Sequence, residues 1–109
     1  MKNGYNKVII IGTIANDPEL QDCGNDRKVC TISVSTIDSH TDKNGIRKEE
    51  VDYHKVVCWG KIGEKVSIMF QQGDEIFLEG KLKNRNHVQA DGKKIHVIEI
   101  VCINFQKLN

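Results

Sequence analysis

Four residues spaced two apart, Tyr53, Lys55, Val57 and Trp59, carry the most suggestive chemical pattern in this chain. Side chains of a strand alternate between its faces, so these four share one face while His54, Val56 and Cys58 share the other. The first face sets two aromatic rings and a cation within one strand's length. Rings on which unpaired bases stack, with cations that follow the phosphates, are what a groove for single-stranded nucleic acid requires. Two core aromatics would give the same pattern, and this strand alone leaves both readings open.

A second segment, Gly80-Lys81-Leu82-Lys83-Asn84-Arg85-Asn86-His87, puts Lys81, Lys83, Arg85 and His87 on one face. Basic groups so placed repel one another unless an anion or water lies between them. An edge strand guarded by lysines reads the same way. Beside the face of Tyr53 and Trp59, however, a phosphate track next to a stacking platform accounts for both segments at once. Thr31, Ser33 and Ser35 add a face of small hydroxyl side chains that leaves room for a bulky ligand. An ordinary solvent face has the same composition.

Other chemistries find little support. The chain has no Gly-rich phosphate loop, serine nucleophile elbow or two-histidine zinc helix. His54 and Cys58 fall two pleats apart on one face, a spacing better read as a packed histidine near a buried thiol than as a nucleophilic pair. Cys23, Cys30, Cys58 and Cys102 lie far apart with no Cys-x-x-Cys pair, so the spacings do not suit a zinc site, and without an export signal disulfides are not expected. Cys30, Cys58 and Cys102 sit in apolar stretches and are expected in the core. The expectation is a binding protein rather than an enzyme, with no metal and no cofactor.

The elements that must position these residues are mostly strands. Residues 7–12 form a short β-branched run ending at Gly12, and residues 29–37 alternate apolar with small polar side chains. Between them, Pro18 marks an irregular segment and Cys23-Gly24-Asn25-Asp26 a turn. Residues 38–50 are polar, with Asn44-Gly45 in their middle, and predict a long protruding hairpin loop before the strand at 51–59. The one helix candidate spans 62–72: Ile62, Val66, Met69 and Phe70 make one apolar stripe, and Gly73 stands where a C′ glycine belongs. Strands at 75–88 and 93–105 follow, joined at Asp91-Gly92. This order predicts an all-β fold, a five-stranded Greek-key barrel of the OB type with one short helix between its third and fourth strands.

Composition sets bounds on this reading. With 109 residues the chain makes one domain, and 39% hydrophobic residues suffice for one core. A net charge of +1 means that phosphate affinity must come from where the Lys and Arg residues sit, since bulk charge is nearly neutral. No apolar run approaches the roughly 20 residues that span a bilayer, and the first residues lack signal or transit character. The expectation is a cytoplasmic, nucleoid-associated protein with no membrane partner.

Along the chain run, in order, Asn6-Lys7-Val8-Ile9-Ile10-Ile11-Gly12 with Asp17-Pro18-Glu19; Asp52-Tyr53-His54-Lys55-Val56-Val57-Cys58-Trp59-Gly60-Lys61; Gln72-Gly73-Asp74; and Phe77-Leu78-Glu79-Gly80-Lys81-Leu82. These segments resemble the bacterial and mitochondrial single-stranded DNA-binding proteins. The resemblance is colinear from about Gly4 to about Phe105. It implies an OB barrel assembled as a homotetramer that binds and protects single-stranded DNA in replication, recombination and repair. On the matching positions it implies base stacking by Tyr53 and Trp59, and phosphate contacts from Lys7, Lys55, Lys83 and Arg85. His54 resembles the family's subunit-interface histidine, in keeping with its place on the face opposite Tyr53. The rival reading is a primosome-type OB module whose barrel mainly contacts a helicase or primase.

The sequence departs from the family pattern in two places. His40 and His87 stand where members often carry tryptophan, and Phe105-Gln106-Lys107-Leu108-Asn109 holds no acidic run. The expectation is a single OB domain over 1–109 without an acidic tail, which puts recruitment of replication and repair proteins in doubt. Base–aromatic stacking contributes about 1–3 kcal/mol per base, and an imidazole offers less surface than an indole. The double substitution His40→Trp, His87→Trp should therefore tighten binding to an oligonucleotide at matched salt; equal titration midpoints would refute the weaker stacking expected of the two imidazoles.

Overall fold

The computed structural model describes residues 3–109. The apolar opening run becomes β1 (Val8–Ile14), in which Ile10 and Ile14 face inward while Ile9 and Ile11 face outward. A three-residue strand, β2 (Leu20–Asp22), lies in the segment that the sequence marks as irregular. It pairs with the start of β3 (Lys28–Thr41) across the expected turn, where Gly24, Asn25 and Asp26 all take positive φ. β4 (Arg47–Trp59), α1 (Gly60–Met69), β5 (Glu75–Val88) and β6 (Lys94–Lys107) complete the chain.

The strands close on themselves. β1 pairs β5, β5 pairs β6, β6 pairs β4, β4 pairs β3, and β3 returns to β1 at Thr13↔Ser35 and Ile14↔Val34. All of these pairings are antiparallel except β4–β6, which is parallel at Val56↔Ile100 and Val57↔Val101. Five strands thus make the barrel and β2 is an appendage on β3. The helix sits between the third and fourth barrel strands, as the sequence order predicts.

Inside lie Ile10, Ile14, Ile32, Val34, Val56, Ile76, Leu78 and Ile100, with Cys30, Cys58 and Cys102 among them as expected. The three cysteines occupy one row, since Cys30 is the cross-strand partner of Cys58 and Cys102 follows Val101 on the strand beside it. A hydrogen bond with Cys102, helped by burial, pushes the Cys58 thiol well above the ordinary cysteine range.

Several boundaries differ from the sequence expectation, β1 running on to Ile14 and α1 beginning at Gly60, and three others have a clear local reason. The predicted loop at 38–50 is instead a paired ribbon: β3 and β4 stay in register out to Thr41↔Arg47. Its tip closes because Asp42 Oδ1 accepts the backbone N–H groups of Asn44 and Ile46, both at 2.9 Å, while Gly45 takes φ +77°. Polar composition hid these strand ends, since both their faces are in water.

The helix stops at Met69, short of the expected end at 72, because Phe70 turns extended and drops into the core against Phe105 (ring centroids 5.8 Å apart). Gly73 consequently serves a separate turn in which the Asp74 N–H donates to the Gln71 carbonyl. Within that turn the Gln71 N–H donates to Asp74 Oδ2 at 2.9 Å. This bond, with Asn109 and Lys107 alongside, holds the Asp74 carboxyl below the ordinary carboxylate range although burial opposes it. Finally, β6 runs to Lys107, past the expected end at 105, where the Leu108 N–H donates to the Glu75 carbonyl at 3.0 Å.

Gly63 fixes how closely α1 approaches the barrel. A Cβ there would collide with the Cys58 carbonyl oxygen, a backbone atom that cannot swing aside. Gly63→Ala should destabilise the fold: overpacking costs about 1–3 kcal/mol, which outweighs a helix-propensity gain of up to about 1 kcal/mol. Thermal denaturation should show Tm lowered by roughly 5 °C, and an unchanged or raised Tm would refute this tight approach.

Candidate nucleic-acid interface

Register across four strands builds one outer face. On β3 and β4 the pairs Val29↔Trp59, Thr31↔Val57, Ser33↔Lys55 and Ser35↔Tyr53 lie side by side. β6 comes next through its parallel seam with β4, and β5 beyond it carries Lys83 opposite Glu99, Arg85 opposite Val97 and His87 opposite Ile95. The sequence alone suggests that the aromatic and cationic strands are neighbours. The structure corrects this: β6 lies between them and contributes Glu99.

The ring pair points outward. Tyr53 is 67% and Trp59 38% exposed, whereas Val57 between them is buried as the floor. The reading of Tyr53 and Trp59 as core aromatics is therefore excluded. Two open recesses run along this strand. One, of about 480 Å³, is lined by Arg27, Thr31, Lys55, Trp59, Arg85 and Glu99, with Val29 and Val57 beneath. The other, of about 370 Å³, is lined by Asn16, Thr31, Ser33, Tyr53 and Lys55. Thr31 and Lys55 belong to both, so the two form one continuous groove. Beyond Tyr53 the apolar surface continues along the ribbon, where exposed Ile37 stands opposite exposed Val51.

Six of the residues singled out in the sequence line this groove: Thr31, Ser33, Tyr53, Lys55, Trp59 and Arg85. Lys83 and His87 share the face without lining the recesses. Two candidates lie elsewhere. Lys7 makes an ion pair with Glu79 at 2.9 Å, which raises its pKa, and lines a separate recess with Tyr5, Asn6 and Ile103. His40 stands opposite Lys48 near the ribbon tip, on the face that strand alternation sets against Tyr53. His54 is half-buried on the face opposite Tyr53, and its Nε2 lies 2.8 Å from Thr36 Oγ1.

Three groove residues have no signature in the sequence. The Arg27 guanidinium lies 4.5 Å from the centroid of the Trp59 ring, a cation–π geometry. Asn16 Oδ1 accepts the Ser33 N–H at 2.7 Å, extending the β1–β3 closure by one side-chain bond. Glu99 is 7% exposed, and its Oε2 pairs with both Lys55 Nζ at 3.5 Å and Arg85 Nε at 3.3 Å. Each of the three comes from an element distant in sequence from the residue that it touches.

The family model described as the single-strand binding protein family matches residues 5–108. The chain belongs to that family. Among individual proteins, it is 32% identical to single-stranded DNA-binding protein 1 of Chlorobaculum tepidum, over 99% of this chain and 67% of that protein. It is also 32% identical to the single-stranded DNA-binding protein of Xylella fastidiosa, over 99% of this chain and 66% of that protein. The chain thus spans about two thirds of the length of these relatives.

Two solved structures of single-stranded DNA-binding proteins superpose on the whole chain. A deletion variant from Thermus aquaticus does so with a TM-score of 0.85 at 26% identity, 53% of that chain being covered. The Plasmodium falciparum protein in complex with single-stranded DNA gives 0.88 at 22% identity over 99% of its length, a likeness of fold. This family member is thereby placed among OB barrels, as its strand order predicts.

If Arg27 covers one face of Trp59, Arg27→Ala should make the indole more accessible. Acrylamide quenching of Trp59 emission in the free protein should then show a clearly larger quenching constant. An unchanged constant would mean that the guanidinium does not rest on the ring in solution.

Proposed function

We propose that this chain binds single-stranded DNA without sequence preference and protects it during replication, recombination and repair. The observation that carries this reading is the outward placement of Tyr53, Lys55 and Trp59 along one groove whose far wall supplies Arg85. Every base has a π-face, so stacking on Tyr53 and Trp59 is tolerant of sequence. Lys55, Lys83, Arg85 and Arg27 offer charge to the sugar–phosphate chain, and Thr31 and Ser33 offer hydroxyl groups where small side chains leave space. His87 extends the same face. Lys7 and His40, which lie away from the groove, belong to this reading only where a strand continues beyond it.

Self-association is part of the proposal, with a tetramer as the expected assembly. β1 pairs β5 from Val8 to Thr13 but meets β3 only at Thr13 and Ile14, so its first half leaves one edge open among the described residues. Ile9 and Ile11 are exposed on its outer face. An open strand edge with an apolar face suits pairing with a second copy. His54, turned away from the groove, is assigned to the subunit contact. Among the described residues no helix is long and apolar enough to cross a membrane.

Titration with oligo-dT tests the reading directly. Stacking on the single tryptophan should quench its emission to saturation, and Trp59→Ala, followed by anisotropy of a labelled oligo-dT, should weaken binding by about 1–3 kcal/mol, the contribution of one stacked base. The logarithm of the affinity should fall linearly with the logarithm of salt concentration, by about 0.7 per phosphate neutralised. Unquenched Trp59, or affinity indifferent to salt, would refute the proposal.

A further inference from the structure

Glu99 is the one acidic side chain in the lining of the Trp59 recess, and it is also among the most buried charged residues of the fold. A carboxylate in a groove meant for a polyanion needs a physical account. Both of its ion pairs use Oε2, so Lys55 and Arg85 converge on one oxygen from opposite walls. The guanidinium has five N–H donors and Glu99 engages it through Nε, leaving its terminal amino groups able to reach a second acceptor. The remaining floor is aliphatic, formed by buried Val29 and Val57. The other cations of this face are Lys83, exposed and opposite Glu99 on β5, and Arg27, exposed and over the indole.

We infer that Glu99 is a positioning residue that decides which side of the strand enters the groove, admitting bases and holding phosphates at the rim. The inference rests on the single-stranded DNA reading above. A phosphate that descended between Lys55 and Arg85 would face a like charge already held by both cations, and would lie against valine side chains that cannot hydrate it. A base carries no net charge, packs against Val29, Val57 and Trp59, and presents N–H donors of the kind that a carboxylate accepts. Glu99 therefore lowers the net positive charge of the floor without lowering that of the rim. It also holds Lys55 and Arg85 extended across the groove, where they border the bases rather than collapse onto them.

The two sides of the strand can be offered separately. Fluorescently labelled oligo-dT and an abasic oligonucleotide of equal length carry the same phosphates, but only the first carries bases. The wild-type chain should strongly prefer oligo-dT. Glu99→Gln, close in shape but uncharged, should raise affinity for the abasic strand by about tenfold, in line with the exchange of one charge in a partly buried site. The salt dependence of abasic binding should steepen by about 0.7, one phosphate equivalent. Glu99→Asp retains the charge and should retain the preference. A merely structural role would weaken both ligands together and leave the ratio unchanged, and that result would overturn the inference.

A second measurement needs no variant. Inorganic polyphosphate of matched charge should displace oligo-dT from the wild-type chain poorly, and efficient displacement would equally overturn it. If the wild-type chain bound neither strand, the single-stranded DNA reading itself would fall, an outcome distinct from an unchanged ratio in a chain that binds oligo-dT.

Discussion

The parallel seam between β4 and β6, Val56 opposite Ile100 and Val57 opposite Val101, is the contact on which the rest of the site depends. It joins the β5–β6 hairpin to β4, and by joining them fixes the order of side chains across the outer face. Without it β4 would present two rings and a lysine to water, and the β5–β6 hairpin would carry its cations to no particular place. With it, Glu99 arrives between Lys55 and Arg85, and the groove gains a second wall. Parallel pairings are slightly less stable per residue than antiparallel ones. This short one is supported from within by the packing of Val56, Cys58, Ile100 and Cys102.

The alternation of β4 then divides labour between interior and exterior. Val56 and Cys58 fill the core, where close packing tolerates no added volume; α1 comes so near that only glycine fits at position 63. Tyr53 and Trp59, one residue out of phase, remain exposed together with Ile37 and Val51. Apolar surface left in water gives up the stabilisation that burial would bring, roughly 25 cal/mol for each Å². A contiguous strip of it beside a row of cations is more economically explained by a ligand that covers it than by chance.

The charges follow a related logic. Lys7 is occupied by Glu79, whereas the groove cations are arranged around a single buried carboxylate. Exposed ion pairs contribute little to stability, but a half-buried one fixes geometry. The same amino-acid type therefore plays different parts in one chain. Lys7 is tied down by Glu79 away from the groove, Lys55 is held by Glu99, and Lys83 stands exposed opposite that carboxylate.

The period-two alternation of residues 29–35 and 53–59, the turn residues Gly24 and Gly92, and the bounds of β5 were all readable in the chain itself, because each reports on neighbours a few residues away. So were the inward cysteines and the one face shared by Tyr53, Lys55 and Trp59. Strand ends at 38–41 and 47–50 were not, since polar residues on both faces leave no period to detect. Arg27 over Trp59, Asn16 bonded to Ser33, and Glu99 between Lys55 and Arg85 were likewise invisible. The sequence by itself determined which side chains share a face of each strand, because that follows from backbone geometry alone, while the exposure of Tyr53 and Trp59 came from the packed barrel. Only the tertiary structure decided which strand lies beside which, and hence that a carboxylate from β6 sits among the cations of the groove, because strand order depends on closing a barrel from segments dozens of residues apart.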